Sequence, residues 1–104
     1  MPTSPFILIN LFVVEPSNQD RVVDLLTTVT DRFVRHSPGF IRSRLHRALD
    51  GTKVTMYAEW ESREAYEAMR GDTRPAAYLE EAMGIAEFQP GMYEVVREFV
   101  RSEA

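Results

Sequence analysis

No cysteine occurs among the 104 residues. Disulfides, thiolate metal sites and cysteine nucleophiles are therefore excluded. Lysine occurs once against eleven arginines, and sixteen acidic residues bring the net charge to −4. A nucleic-acid binder usually carries a strong basic excess, so that partner is not expected. No apolar run approaches the roughly 20 residues of a membrane span, so no membrane partner is expected either. The opening stretch "MPTSPFILINLFVVEP" has neither a positive n-region nor a small-residue cleavage site. A signal peptide is thus not expected, and the cytoplasm is the default location. There is no GxGxxG, Walker A, GxSxG or HExxH motif. The two histidines, His36 and His46, stand ten apart on different expected elements, which is not a metal-ligand spacing.

What is present describes a folded chain. Hydrophobic residues make up 44% and charged residues 27%, a globular balance. The length suits one domain, residues 1–104. A domain this small buries only roughly 65% of its unfolded-chain surface, so a partner subunit would help it.

Residues 6–14, "FILINLFVV", are branched and aromatic and read as a strand. Phe6, Leu8, Phe12 and Val14 share one face; Ile7, Ile9, Leu11 and Val13 share the other. Such a strand is expected to be buried on both sides. Ser17 is a candidate N-cap, with Asp20 at the N3 position. Val22, Leu25, Leu26, Val29 and Phe33 then recur at helical spacing over about five turns, ended by "HSPG" at 36–39. A second strand is expected at 40–48, a hairpin turn at "DGTK" (50–53) and a third strand at 53–60. Ser62 can cap a helix bearing Ala65, Ala68 and Met69. Thr73 can cap a further short helix that accepts Pro75 in its first turn. "QPG" at 89–91 opens a last strand, 92–100.

The order β-α-β-β-α-β packs most simply as an α+β, ferredoxin-like domain. Four antiparallel strands form the sheet and the helices cover one face. The other face of the first strand is apolar and needs a cover. A homodimer with its two sheets face to face supplies one. Arg42, Arg44 and Arg47 on the second strand and Glu94 and Glu98 on the fourth put opposite charges on the expected edges. Blunting of those edges against aggregation is the preferred account of them.

A few residues stand out against this frame. Asn10 interrupts an apolar strand, where a buried amide must find partners. It either bonds nearby backbone or faces a cavity. Trp60, the only tryptophan, ends the third strand within "MYAEWESREAYEAM" and shares a parity with Val54, Met56 and Ala58. Core packing is the ordinary role for such a residue. His46 shares a parity with Phe40, Arg42 and Arg44 and reads as a surface or edge residue. Tyr66 and Tyr78 fit amphipathic helix packing, and Met56 and Met69 fit gap-filling.

The segments "INLFVVEP", "HSPGFIRSRLHRALDGTKV", "YAEWESREAYEAM" and "FQPGMYEVV" occur in an order that resembles the antibiotic biosynthesis monooxygenase family over about residues 6–97. "WES" followed by a helix is the most specific part. The resemblance implies a dimeric α+β barrel and, in some members, oxidation of an anthrone or quinol by O₂ with no metal, heme or flavin. Another branch of the family degrades heme. Asn10 and Trp60 match positions that both branches use, and His46 and Tyr66 match positions lining the pocket of some anthrone oxygenases. Met56 stands where some oxygenases carry an asparagine. "TRPAAYLEEA" lacks the axial histidine of the heme branch, leaving Tyr78 as its nearest candidate ligand. The chain thus resembles the oxygenases more than the heme degraders.

The function expected on that basis is cofactor-independent oxidation of an electron-rich aromatic to a quinone. Phe12, Met56, Tyr66 and Tyr78 would bind the ring, with Asn10, Trp60 and His46 as catalytic residues and His46 as the proton acceptor. The competing expectation is a dimeric module that binds heme or a small aromatic without turnover.

Overall fold

Branched and aromatic side chains from residue 6 onward build the strand on which everything else is laid. The computed structural model describes residues 5–103. Residues 1–4, part of the opening stretch read above, and residue 104 lie outside them. Strand β1 (Phe6–Val14) is followed by a 3₁₀ turn (Pro16–Asn18) and helix α1 (Gln19–Arg32). A second 3₁₀ turn (Val34–His36) leads into β2 (Phe40–Arg47) and β3 (Lys53–Trp60). Helices α2 (Arg63–Arg70) and α3 (Thr73–Gly84) precede the short strands β4 (Ala86–Gln89) and β5 (Met92–Glu94). All pairings are antiparallel, in the order β2-β3-β1-β4, with β5 also on β1. The α+β ferredoxin-like arrangement with helices over one face is the one observed.

Val22, Leu25, Leu26 and Val29 of α1 are buried against Phe12, Val14, Val54 and Met56 of the sheet. Each aliphatic side chain so buried contributes about 1.5–3 kcal/mol relative to exposure. Gln19 locks the start of α1 to the β2–β3 hairpin. Its Nε2 donates to the carbonyls of Ala48 at 2.9 Å and Lys53 at 3.1 Å. At the hairpin tip Gly51 takes φ +83°, and Asp50 Oδ1 accepts from Thr52 Oγ1 and the Thr52 N–H. Those two bonds hold the Asp50 carboxyl below its ordinary pKa. Their contribution is thus present above that ordinary value and lost as pH falls through the lowered one.

Several local expectations are corrected. Ser17 lies within the 3₁₀ turn and α1 begins after Asn18, with no side-chain cap bond. The helix spans 14 residues, about four turns. Ser62 does cap α2, accepting from the Ala65 N–H at 3.1 Å. Asp72, not Thr73, caps α3, accepting from the Arg74 N–H at 2.9 Å.

The last strand begins earlier and ends sooner than 92–100. Leu11 faces Gln89 and Leu8 faces Met92 in one unbroken register, so β4 and β5 are a single fourth ribbon interrupted at Pro90. Proline has no N–H for the ladder, which breaks there and resumes. Phe6, where β1 begins, faces Glu94. Among the described residues no strand pairs with 95–103, which lie outside the assigned strands despite their β-forming composition. Val96, Phe99 and Val100 are 80–89% exposed there.

A bulge decides the second strand. Phe40 faces Trp60, yet Arg42 faces Glu59, the next residue back, so the register shifts at Ile41. The extra residue inverts the alternation after it. Ser43 and Leu45 join the helix-covered face. Arg42, Arg44 and His46 go to the bare face, opposite Glu59, Tyr57 and Thr55. The bare face is therefore mixed. Arg42 pairs with Glu59 at 2.8 Å, and Tyr57 donates to Glu59 at 2.9 Å. Burial, and then the Glu59 carboxylate, pushes the Tyr57 phenol up from its ordinary pKa.

Gly39, just before the bulge, has φ +86°, and a Cβ there would overlap Ala65 Cβ on α2. Gly39→Ala is expected to cost about 2 kcal/mol or more from backbone strain and the clash together. Ser62→Ala should cost about 1 kcal/mol. Urea denaturation of the two variants checks the order.

Candidate active site

The apolar interior under the helices is not continuous. One cluster gathers Phe12, Val54, Met56 and the α1 side chains. A second gathers Leu8, Ala58, Trp60 and Tyr66, with Phe6, Phe40 and Met69 packed against it. Along β1 the boundary between Leu8 and Phe12 falls at Asn10. A cavity of about 240 Å³ lies at this boundary, walled by both clusters and roofed by residues of α1, α2 and α3. It is just under the roughly 300–1,000 Å³ usual for small-molecule sites. That size suits a ligand of a few fused rings.

Its floor is laid by Asn10, Met56, Ala58 and Ser43 from three neighbouring strands, with Asn10 reaching the cavity between apolar neighbours. The Asn10 Oδ1 is buried and meets no hydrogen-bond donor. Trp60, 1% exposed, forms one wall. Its ring stands edge-on to Phe40 at 5.3 Å and to Tyr66 at 5.9 Å. Both contacts fall in the favoured range for T-shaped pairs, so the indole plane is held from two sides. The Tyr66 ring is buried while its hydroxyl accepts from Arg70 Nη1 at 2.8 Å. The phenolic proton of Tyr66 is left to donate elsewhere. Phe12 and Phe88 stack at 4.9 Å across β1 and β4 and close the opposite end. Thr30 and Ser43 add hydroxyls to the lining. Exposed Arg70, Glu80 and Met83 form the rim toward solvent. Asp72, also in the lining, is engaged by Arg74 at 2.7 Å, which holds its carboxyl below the ordinary aspartate pKa.

Five of the seven residues expected at the site meet here: Asn10, Phe12, Met56, Trp60 and Tyr66. Two do not. His46 lies exposed on the far side of the sheet, its Nδ1 3.3 Å from the Thr55 carbonyl. The bulge at Ile41 carries it there, and Ser43 takes the place that simple alternation assigns to its neighbours. Tyr78 packs its ring on Phe33, 6.0 Å between centroids, and is not in the lining. Tyr78 therefore stands away from the cavity, where neither ring binding nor heme ligation could use it, because α3 turns it toward the end of α1. Among the described residues no group of three or more His, Asp or Glu side chains could hold a metal ion. Also among them, no helix is long and apolar enough to cross a membrane. Arg70 and Ser43 were not picked out in the sequence. Arg70 was accessible from helical spacing, four residues after Tyr66. Ser43 was not, because the bulge is invisible to alternation.

A ferredoxin-like sheet with an apolar cavity between sheet and helices, floored by one unsatisfied amide, defines a small-molecule-handling α+β protein. The sequence profile of the antibiotic biosynthesis monooxygenase family matches residues 5–91. The chain belongs to that family and is a monooxygenase of that type. It is 34% identical over 94 residues to tetracenomycin-F1 monooxygenase of Streptomyces glaucescens, covering 90% of this chain and 84% of that protein. Its fold matches the monooxygenase ActVA-Orf6 of Streptomyces coelicolor, in complex with nanaomycin D, with a TM-score of 0.83 and 29% identity. That match covers 98% of this chain and 96% of the other. SnoaB, a cofactor-independent oxygenase of Streptomyces nogalater, shares the fold with a TM-score of 0.74 at 16% identity, covering 96% of this chain and 100% of that one.

A buried polar atom without a partner costs stability, about 1–3 kcal/mol for a neutral group. Asn10→Leu is therefore expected to stabilise the protein by about 1 kcal/mol, the usual direction of exchange at a functional site. Thermal denaturation checks this. A drop in Tm would show that Asn10 is held by a structural bond instead.

Proposed function

We propose that the protein oxidises an electron-rich, flat aromatic, an anthrone, phenol or quinol, to a quinone with O₂. The observation that carries this reading is Asn10, which lines an apolar cavity beside Trp60 while its buried Oδ1 has no hydrogen-bond donor among the described residues. An amide so placed serves a ligand, because nothing in the described protein serves it. The kinship with tetracenomycin-F1 monooxygenase supports the substrate class.

The chemistry asks little of the protein. Deprotonation of an anthrone C–H or a phenol O–H makes the ring electron-rich enough to pass an electron to O₂. Recombination of the two radicals with a proton gives a hydroperoxide on the ring carbon. For an anthrone, loss of water from that CH–OOH group leaves a carbonyl. One oxygen atom stays in the quinone and the other leaves as water.

In this scheme Phe12, Met56 and Trp60 hold the ring plane and exclude water. The Asn10 amide offers an acceptor to the phenolic O–H and N–H donors to the oxyanion that replaces it. The Tyr66 hydroxyl supplies a second donor. Such preorganised donors act strongly in a water-poor site. His46, on the far face, has no place in the scheme.

Metal-free protein is expected to turn over an anthrone panel in air and not under argon. Asn10→Ala should lower kcat by about 10²–10³-fold, and Trp60→Phe should lower it measurably. Unchanged rates in both variants would reject the site. Binding without oxygen uptake would favour the ligand-binding module instead.

We also propose that two copies associate through the bare sheet faces. The half-buried Ile9, Leu11 and Val13, together with the exposed Val96, Phe99 and Val100, support this. Apolar surface of that kind marks an interaction site. Sedimentation equilibrium should give twice the chain mass, and Phe99→Glu with Val100→Glu should weaken association at least tenfold. A monomer at all concentrations would overturn it.

A further inference from the structure

Six arginines sit in ion pairs: Arg21 with Glu81, Arg35 with Asp31, Arg42 with Glu59, Arg47 with Asp20, Arg63 with Glu67 and Arg74 with Asp72. Arg70 is not among them, and among the described residues it is the only arginine that lines the cavity. One of its N–H groups donates to the Tyr66 hydroxyl, and its guanidinium carbon lies 5.9 Å from the Tyr66 ring centroid. A guanidinium carries five N–H donors in a planar fork. Tyr66 uses one of them and fixes the direction of the rest.

The acids nearby do not claim the remainder. Glu67 is taken by Arg63 and Asp72 by Arg74. Glu80 stands exposed on the rim from α3, outside any ion pair. Among the described residues, the mouth thus presents on the α2 side a cation, Arg70, bonded to Tyr66 but in no ion pair, and on the α3 side an anion, Glu80, in no ion pair.

We propose that Arg70 is a specificity-determining residue that reads an anionic oxygen at one edge of the aromatic ligand. The ligand class is then a flat aromatic acid, its rings against Trp60 and its carboxylate or ionised phenol at the α2 side of the mouth. This rests on the reading of the cavity as a site for a flat aromatic and deepens it. The Arg70–Tyr66 bond gives the arrangement its geometry. A tethered guanidinium loses less freedom on binding than a loose one, and charge-assisted bonds to carboxylates are roughly twice as strong as neutral ones. The anion would also be directed away from Glu80, which sets which way round the ligand enters.

The test uses the full chain and the fluorescence of its single tryptophan, Trp60, quenched by a bound ring. Anthracene-2-carboxylate is compared with its neutral carboxamide. The acid is expected to bind about tenfold more tightly, a modest preference because the rim is wet, and the preference should shrink as salt rises. Arg70→Gln should abolish the preference while leaving carboxamide affinity within about twofold, which also shows that the cavity is intact. Arg70→Lys should restore part of it. A naphthol series ionised by pH, in place of the carboxylate, tells which kind of anion is read.

Equal binding of acid and amide by the unmodified protein overturns the proposal. So does a preference that survives in Arg70→Gln. Equal weakening of both ligands in that variant would mean that Arg70 acts only by holding Tyr66, and it too overturns the proposal. If anthrone is still oxidised in any of these cases, the reading of the site stands and only the role of Arg70 falls. If neither probe quenches Trp60 and no anthrone is oxidised, both fall together.

Discussion

One polar side chain in the middle of the central strand governs how this interior is built. β1 is paired on both sides, so its helix-facing residues form the spine of the core. Leu8 and Phe12 pack the helices on either side of Asn10, but the amide cannot be packed in the same way. Its Oδ1 has no partner among the described residues, and closing apolar groups over it would cost more than leaving space. The core accordingly divides into two clusters with the cavity between them. Trp60, Tyr66 and Phe40 brace the wall on one side, and the Phe12–Phe88 stack braces the other. The site is therefore a gap in the packing supported by rigid elements, a sound way to hold a small ligand.

Whether a residue reaches that gap depends on sheet parity. A single extra residue at Ile41 reverses the alternation of β2. The bulge is coupled to the chain around it: Gly39 adopts a left-handed conformation beside Ala65, and the Glu61 N–H donates to the Gly39 carbonyl at 2.7 Å. These contacts press the start of α2 against the start of β2. That brings Tyr66 over Trp60 and leaves Arg70, one turn later, at the mouth. The same shift sends Arg42 to Glu59 and His46 to the far face. The positive charges of β2 thus serve the bare side of the sheet, while Arg70 alone of the arginines serves the cavity.

Elements with a strong internal signal were legible from residue order. Strands β1 and β3, the Asp50–Gly51 turn, the apolar stripe of α1 and the Ser62 cap fall where composition and spacing put them. Short elements were less so. β4 is hard to read because its four residues before Pro90 carry almost no periodicity, and residues 95–100 look like a strand but pair with no strand among the described residues. Caps depend on backbone angles that side-chain type only suggests, so Asn18 and Asp72 take positions that fitted Ser17 and Thr73 equally well. At the site, Asn10 was legible as an anomaly, and Phe12, Met56, Trp60 and Tyr66 by parity or by resemblance.

Residue order alone carries the class of fold, the family and the oddity of a lone amide in an apolar strand. These follow from local periodicity and residue chemistry, which need no knowledge of neighbours. Packing between distant segments is what leaves Asn10 Oδ1 without a donor among the described residues, holds Trp60 edge-on between two rings and sets Arg70, tied to Tyr66 but in no ion pair, at the mouth. It also decided that His46 and Tyr78 lie elsewhere. Each of these turns on which surfaces meet across long stretches of chain. A one-residue bulge or a proline break can reverse that outcome without changing any local pattern.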